Sequence, residues 1–386
     1  TDINKLIMNS KTKQKRIAFV DFHRGLALLV MIEVHVFNAM LIPETKSQGW
    51  FAVVNFFNGL VAPSFLFVSG FAFVLAAQKK VEEFRAFGFT FWRQIGRIIL
   101  ILMAGYSLHL PFHSLSRTLN EATSEQLNSF FAVDILQTIA VGLFILLFII
   151  ILLNDEKQQS FLVLAGALFF ILFAPKVWGF DFDRFLPVYL SDYLNTRNGS
   201  LFPLFPWLSF MFFGFLFGRF YLHKKTIGKE FHFDKSILIL SLVFILAGHL
   251  LVWKEFPLYF KLPVPNYFFF ILRLGYVLLI LYASKIITER FDFNKSFLLD
   301  VSRESLLVYW LHLVILFGQF WGGKSIVQIV ENSLSLIEVS FATISLILFM
   351  IVVAIYWGKI KAAKPVFVRN FLLAAIAIFS IYFFLR

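Results

Sequence analysis

The sequence predicts an all-α, polytopic integral membrane protein with its N-terminus in the cytoplasm. Of its 386 residues, 59% are hydrophobic, a larger share than soluble domains of this length carry. The apolar residues form about eleven runs, each near the roughly 20 residues that a bilayer crossing requires. Most Lys and Arg residues lie in the N-terminal tail and in the even-numbered loops, which places these segments on the cytoplasmic side.

We expect one transmembrane domain, residues 1–386, that begins with a basic cytoplasmic tail, residues 1–20. The predicted spans are 22–42, 53–77, 92–110, 130–153, 159–175, 202–221, 236–253, 266–284, 305–321, 334–357 and 366–385. The first span is not a cleaved signal peptide, because it contains charged residues and lacks a small-residue cleavage site. The absence of cysteine excludes disulfides and thiolate metal sites.

The first span contains the most informative polar residues. Arg24 and His35 lie about three helical turns apart, so they share one helix face, and Asp21 joins that face near its inner end. Ionisable residues inside a membrane helix are costly and mark functional sites by default. His35 lies about midway along the span, where a neutral imidazole can act as a general base or nucleophile. The alternative is a structural histidine bonded to a neighbouring helix.

Arg93 and Arg97 occupy positions i and i+4 near the inner end of the third span. Two guanidinium groups on one helix face repel each other unless an anion lies between them. Each can donate two hydrogen bonds to a phosphate, which favours an anionic cytosolic ligand. The alternative is that both arginines reach the phosphates of cytoplasmic lipids. The basic charge as a whole indicates anionic lipid headgroups rather than nucleic acid as its partner.

Further polar residues occur in later spans. Asp134 and Gln137 share a face near the outer end of the fourth span, and an intramembrane aspartate normally faces a partner or a wet cavity. Asp134 could orient His35, or it could pair with Arg273 of the eighth span. His312 in the ninth span is a second candidate ligand group, with a structural role as the alternative.

Small residues and proline mark the second and sixth spans. Asn58, Pro63 and Ser69-Gly70 are expected to interrupt the second span, where the small residues allow either a close helix approach or an unwound turn. Gly214 and Gly218 have the GxxxG spacing of closely packed helices. The outer loops 111–129 and 176–201 mix aromatic, acidic and amide residues, as sugar-binding surfaces and ordinary loops both do. Metal-site and nucleotide-binding signatures are absent from the sequence, so we expect neither a metal nor a nucleotide-driven pump.

These motifs resemble the membrane-bound acyltransferase superfamily, which includes acyltransferase-3 proteins and heparan-α-glucosaminide N-acetyltransferase-like proteins. Arg24, ten intervening residues and His35 reproduce the R-X10-H pattern of acyltransferase-3, and Arg93-X-X-X-Arg97 resembles its arginine motif. The segments APSFLFVSGF, VDILQTIAVGLF, FPLFPWLSFMFFGFLFG and ESLLVYWLHLVI resemble the heparan-glucosaminide branch. The lumenal-loop histidine of that branch has no counterpart in SQGWFAVVNFF.

The resemblance implies an acyltransferase of the bacterial inner (plasma) membrane that uses acyl-CoA, with acetyl-CoA as the expected donor. The acceptor would be a hydroxyl or amine of a glycan or amino sugar on the outer side, and a homo-oligomer is left open. The expected site residues are catalytic His35, Asp134 and His312; donor-binding Arg24, Arg93 and Arg97; and substrate-binding Asn58, Gln137 and Arg273. The alternatives are a transporter of a small molecule or lipid-linked sugar, which usually has inverted repeats, and a non-catalytic scaffold.

Overall fold

The computed structural model describes residues 17–112, 114–254, 267–293, 296–319 and 323–385. Its longer helices are α1 (Ala18–Met40), α2 (Gly49–Asn58), α3 (Val61–Ala77), α4 (Phe89–Leu108), α5 (Ile135–Leu152), α6 (Glu156–Gly179), α7 (Leu204–Thr226), α8 (Glu230–Lys254), α9 (Tyr267–Arg290), α10 (Phe297–Arg303), α11 (Ser305–Phe317), α12 (Leu336–Ala363) and α13 (Pro365–Leu385). Short helices lie in the connections: Pro43–Lys46, Val81–Arg85, Leu115–Asn120, Ser124–Phe131, Val188–Ser191 and Ile326–Val330.

The structure confirms an all-α polytopic membrane fold. In the described ranges, 8 helical segments are long and apolar enough to cross a membrane, and α2 with α3 forms one of them. The remaining predicted spans fall on α1 and α4, which carry charged residues, and on the shorter α11. We call the end of the bundle where α1 begins the inner end, following the predicted topology.

The closest helix packing joins α3 to α7 through glycines. A Cβ atom at Gly70 would collide with the backbone carbonyl of Met211, and one at Gly214 would collide with that of Phe67. Gly218 lies against the side chain of Val74 one turn further on. Small residues let the two backbones approach this closely, so the predicted packing role of the GxxxG spacing is confirmed.

The break in the second span lies at Gly59 and Leu60, between α2 and α3. Pro63 and Gly70, which we expected to interrupt the span, lie inside the continuous helix α3. Pro63 is in the first turn, where its missing N–H would have no helical acceptor in any case. The expected interruption is therefore wrong for both residues, whereas the close helix approach also expected of the small residues is confirmed at Gly70, which contacts α7.

The first and last parts of the chain are joined at the outer end of α1. Leu334 N–H donates to the carbonyl oxygen of Met40 at 2.9 Å, and Ile42 N–H donates to the carbonyl oxygen of Leu334 at 3.0 Å. This short parallel bridge lies just before α12 begins. Helix α1 also packs against α3, α9, α10, α11 and α12, so it is the central helix of the described bundle.

Candidate functional site

Two imidazoles connect α1 to α11. His35 Nδ1 lies 2.9 Å from His312 Nε2, and His312 Nδ1 lies 2.8 Å from the carbonyl oxygen of Val308. A carbonyl can only accept, so His312 Nδ1 carries the proton and donates it. In a neutral ring His312 Nε2 is then the acceptor, and His35 Nδ1–H is its donor. The hydrogen bonds therefore leave a lone pair on His35 Nε2.

The surroundings of the two rings differ in a useful way. His312 is 0% exposed, whereas His35 is only partly buried and lies in the outer half of α1, beyond the predicted midpoint. A buried imidazole thus fixes the tautomer of a more accessible one. This arrangement can supply a base or nucleophile at one defined nitrogen atom.

Asp134 precedes α5 as its N-cap instead of lying inside the span, and its Oδ1 accepts a hydrogen bond from Ile135 N–H at 2.7 Å. Aspartate favours this position because its short side chain satisfies a free helical N–H. The Tyr309 hydroxyl donates to Asp134 Oδ2 at 3.2 Å. The expected pairing with Arg273 is wrong, since Asp134 has other partners.

Asp134 links the histidine pair to the outer surface. His109, at the end of α4, places its Nε2 3.8 Å from Asp134 Oδ2. Asp134 also acts electrostatically on His35 and His312, and its partner Tyr309 packs edge-on against His312 with ring centroids 5.7 Å apart. Sequence reasoning missed His109, because only the fold brings the ends of α4 and α5 together.

Gln137 is 0% exposed and lies against Gly105 of α4. Neither atom of its side-chain amide has a hydrogen-bond partner in the described part of the chain. A buried polar group left unpaired costs about 1–3 kcal/mol. This amide lies one turn from Asp134 along α5, with its hydrogen-bonding capacity unused within the described residues.

Asn58 and Arg273 lie away from the histidine pair. Asn58 Nδ2 donates to Glu33 Oε1 at 3.3 Å, and the guanidinium of Arg273 lies against Gly59. Glu33 and His35 are two residues apart on α1, so their side chains point to nearly opposite faces of the helix. The structure brings Asn58 and Arg273 together with each other rather than with His35.

The inner end of α1 is tied to α10. Arg24 Nη1 lies 3.7 Å from Asp21 Oδ1, and the Ser302 hydroxyl donates to the same oxygen at 3.2 Å. Asp21 is buried. Asp21 thus contacts both an arginine of its own helix and the neighbouring helix α10.

Arg93 and Arg97 project from the inner end of α4 as exposed side chains, and neither has an acidic partner among the described residues. Lys80 adds a third positive charge. Burial lowers the pKa of Lys80, and the nearby charges of Arg93 and Arg97 lower it further, while Glu83 opposes the change. We call Lys80, Arg93 and Arg97 the inner cation cluster. Sequence reasoning missed Lys80, which precedes Arg93 in a separate loop.

An outer pocket of about 400 Å³ opens beside Asp134. Its polar lining residues are His109, Glu125, Asn128, Ser129, Asp134, Arg197 and Asn198. The pocket thus combines His109 and Asp134 with residues of both long outer loops.

Comparison with known proteins gives one family. A family model described as the catalytic domain of heparan-alpha-glucosaminide N-acetyltransferase matches residues 16–254, which is more than half of the chain. The match includes His35 and Asp134 but ends before His312. A search of curated proteins finds no match.

Proposed function

The chain belongs to the heparan-α-glucosaminide N-acetyltransferase family, and from this premise we propose a specific reaction for it. A membrane acetyltransferase of this kind would take the acetyl group of cytosolic acetyl-CoA and transfer it to a hydroxyl or amine of a glycan or amino sugar on the outer side. The observation that carries the proposal is the hydrogen-bonded pair of His35 and His312, which leaves a lone pair on His35 Nε2.

In the direct route, His35 Nε2 takes a proton from the acceptor as the acceptor's oxygen or nitrogen attacks the thioester carbonyl. The carbon–sulfur bond then breaks, and His35 Nε2–H returns its proton to the leaving CoA sulfur. The positive charge that His35 carries in between is stabilised by its bond to His312 and by the carboxylate of Asp134. In the alternative route, His35 Nε2 itself attacks the thioester carbonyl, the carbon–sulfur bond breaks and CoA leaves as the thiolate. The acceptor then attacks the acetyl-imidazole, His35 Nε2 leaves as a neutral nitrogen, and the acceptor's proton passes to the thiolate or to solvent.

The donor would enter at the inner end. Guanidinium and ammonium groups without acidic partners bind phosphates well, and the inner cation cluster supplies three of them. Arg24 lies near the inner end of α1, and three helical turns, or roughly 16 Å, separate it from His35. An extended pantetheine arm is long and narrow, so it suits a path between the inner end and the histidine pair.

The acceptor would enter through the outer pocket. Amide and hydroxyl groups there can hydrogen-bond to sugar hydroxyls, while the carboxylates of Glu125 and Asp134 attract an amine. Gln137, whose amide has no partner in the described chain, would contact the substrate deeper in the bundle.

The test is transfer from labelled acetyl-CoA to a panel of amino sugars and glycans, with the full chain purified in detergent. We expect wild-type protein to acetylate at least one acceptor, and His35→Ala to lose transfer by a factor of about 10² or more while remaining folded. His232→Ala, at an exposed inner-end histidine, is the matched control. Turnover by His35→Ala at the wild-type rate would refute the assignment, and CoA release before acceptor is added would favour the acyl-enzyme route.

A further inference from the structure

The outer connection between α6 and α7 is attached to the site by its last residues. Phe202 N–H donates to the carbonyl oxygen of Val133 at 3.0 Å, and Val133 N–H donates to Ser200 Oγ at 2.9 Å. Val133 is the neighbour of Asp134. The conformation of this loop therefore determines one wall of the outer pocket.

The charges of this loop are paired unevenly. Arg184 Nε lies 3.1 Å from Asp181 Oδ2, and Arg197 Nη1 lies 2.9 Å from Asp181 Oδ1. Both arginines thus serve one carboxylate. Asp183 and Asp192 have no cationic partner within the described residues, so two negative charges of the loop are left without a counterion.

Those two carboxylates lie together. Asn198 Nδ2 is 3.1 Å from Asp183 Oδ1, 3.2 Å from Asp183 Oδ2 and 3.1 Å from Asp192 Oδ1, and the Ser191 hydroxyl donates to Asp183 Oδ1. Asp192 is 0% exposed, and its Oδ2 has no hydrogen-bond partner in the described chain. A buried carboxylate oxygen without a partner is costly, whereas the exposed Asp183 opens the cluster to solution.

We propose that Asp183, Asp192, Asn198 and Ser191 bind a calcium ion that holds the outer loop in place. The two carboxylates offer four oxygens, and the Ser191 hydroxyl offers a fifth. Rotating the Asn198 side-chain amide by 180° would present its Oδ1 as a sixth. Calcium takes about 6–8 oxygen ligands in flexible geometry. The described residues contain no cluster of three or more His, Cys, Asp or Glu side chains that could hold a metal, so the proposed site depends on the hydroxyl and amide oxygens beside its two carboxylates. Such an all-oxygen ligand set suits calcium better than zinc or copper.

The experiment measures thermal unfolding of the full chain in detergent by tryptophan fluorescence, first with chelator and then with CaCl2. For wild type we expect Tm to rise by several degrees, with a midpoint of about 10⁻⁴–10⁻³ M calcium, as in extracellular sites. NaCl at matched ionic strength should give no rise. Asp183→Asn and Asp192→Asn should abolish the calcium response, and Asp181→Asn, whose carboxylate is already paired with arginines, should keep it.

The chelated proteins add a second criterion. Replacing Asp192 by its neutral isostere removes an uncompensated buried charge, so chelated Asp192→Asn should be at least as stable as chelated wild type. Addition of calcium should then raise the Tm of wild type above the Tm of Asp192→Asn. The proposal fails if wild type shows no calcium-specific rise, if Asp192→Asn responds like wild type, or if acidification alone replaces calcium by placing a shared proton on the pair. The readout is stability, so it is independent of transferase activity.

Discussion

The histidine pair in the outer half of the bundle and the inner cation cluster hold their polar groups in opposite ways. The hydrogen bonds of His35 and His312 fix which nitrogen of each ring carries the proton. The carbonyl of Val308 fixes the tautomer of His312, and His312 in turn fixes that of His35. At the inner end, Arg93 and Arg97 have no acidic partner in the described chain. The first arrangement suits a group that must move a proton at a defined atom. The second suits a site whose counterion is a ligand.

The largest effect that would test this contrast is expected for His312→Ala. Loss of the Nε2 acceptor frees His35 to rotate and to change its tautomer, so kcat should fall by about 10²–10⁴-fold, as for other fixed imidazoles. The KM for acetyl-CoA should stay within a few-fold of wild type. Steady-state kinetics of purified protein separates the two constants.

The control for this variant is His249→Ala, since His249 in α8 bonds Tyr276 at 3.0 Å and has no contact with the pair. A shift of the pH–rate profile in His312→Ala, absent from the control, would mark a positioning role. An equal loss in both variants would mean that general destabilisation, not the tautomer, is responsible.

An intermediate effect is expected at the inner cation cluster. Arg93→Ala or Arg97→Ala should weaken CoA binding about 10- to 100-fold each, because a charge-assisted hydrogen bond contributes about 1.5–3 kcal/mol. The kcat at saturating donor should stay near wild type. Calorimetry with CoA measures the affinity directly. Arg369→Ala, at an exposed position of α13, is the control. Unchanged CoA binding in the α4 variants would mean that Arg93 and Arg97 contact lipid phosphates instead of the donor.

The smallest effect on donor binding is expected for Arg24→Gln. Arg24 is held by Asp21, which also holds Ser302, so we expect a lower Tm with CoA affinity within about 2-fold of wild type. Thermal unfolding and calorimetry on the same preparation check both parts. A 10-fold loss of CoA affinity at unchanged Tm would instead place Arg24 in the donor site.

The sequence predicted the helices well because each span must be apolar and roughly 20 residues long, whatever lies beside it. It also made His35 a candidate, since an ionisable group within a span is costly. It could not pair His35 with His312, which lies 277 positions away. Which faces of two helices meet depends on packing across the whole bundle.

Three further residues show where local reasoning ends. Asp134 was predicted to lie within the fourth span, yet it caps α5, because the helix begins at Ile135, five residues after the predicted start of the span at residue 130. Lys80 joins the arginines of α4 only through the turn that follows α3. Arg273 seemed a partner for Asp134 on charge alone, but it lies against Gly59 on the other side of α1.

The contacts of the C-terminal third of the chain with α1 and its outer end include the bridge between Leu41 and Leu334 and the imidazole pair. These contacts bear on how relatives of this protein can diverge. The family match ends at residue 254, whereas the group that sets the proton on His35 comes from α11, beyond it. A relative with the same first eight helices but a different C-terminal third would inherit His35 without the partner that fixes its tautomer. Divergence after residue 254 would then alter the chemistry of a histidine that the matched segment carries unchanged.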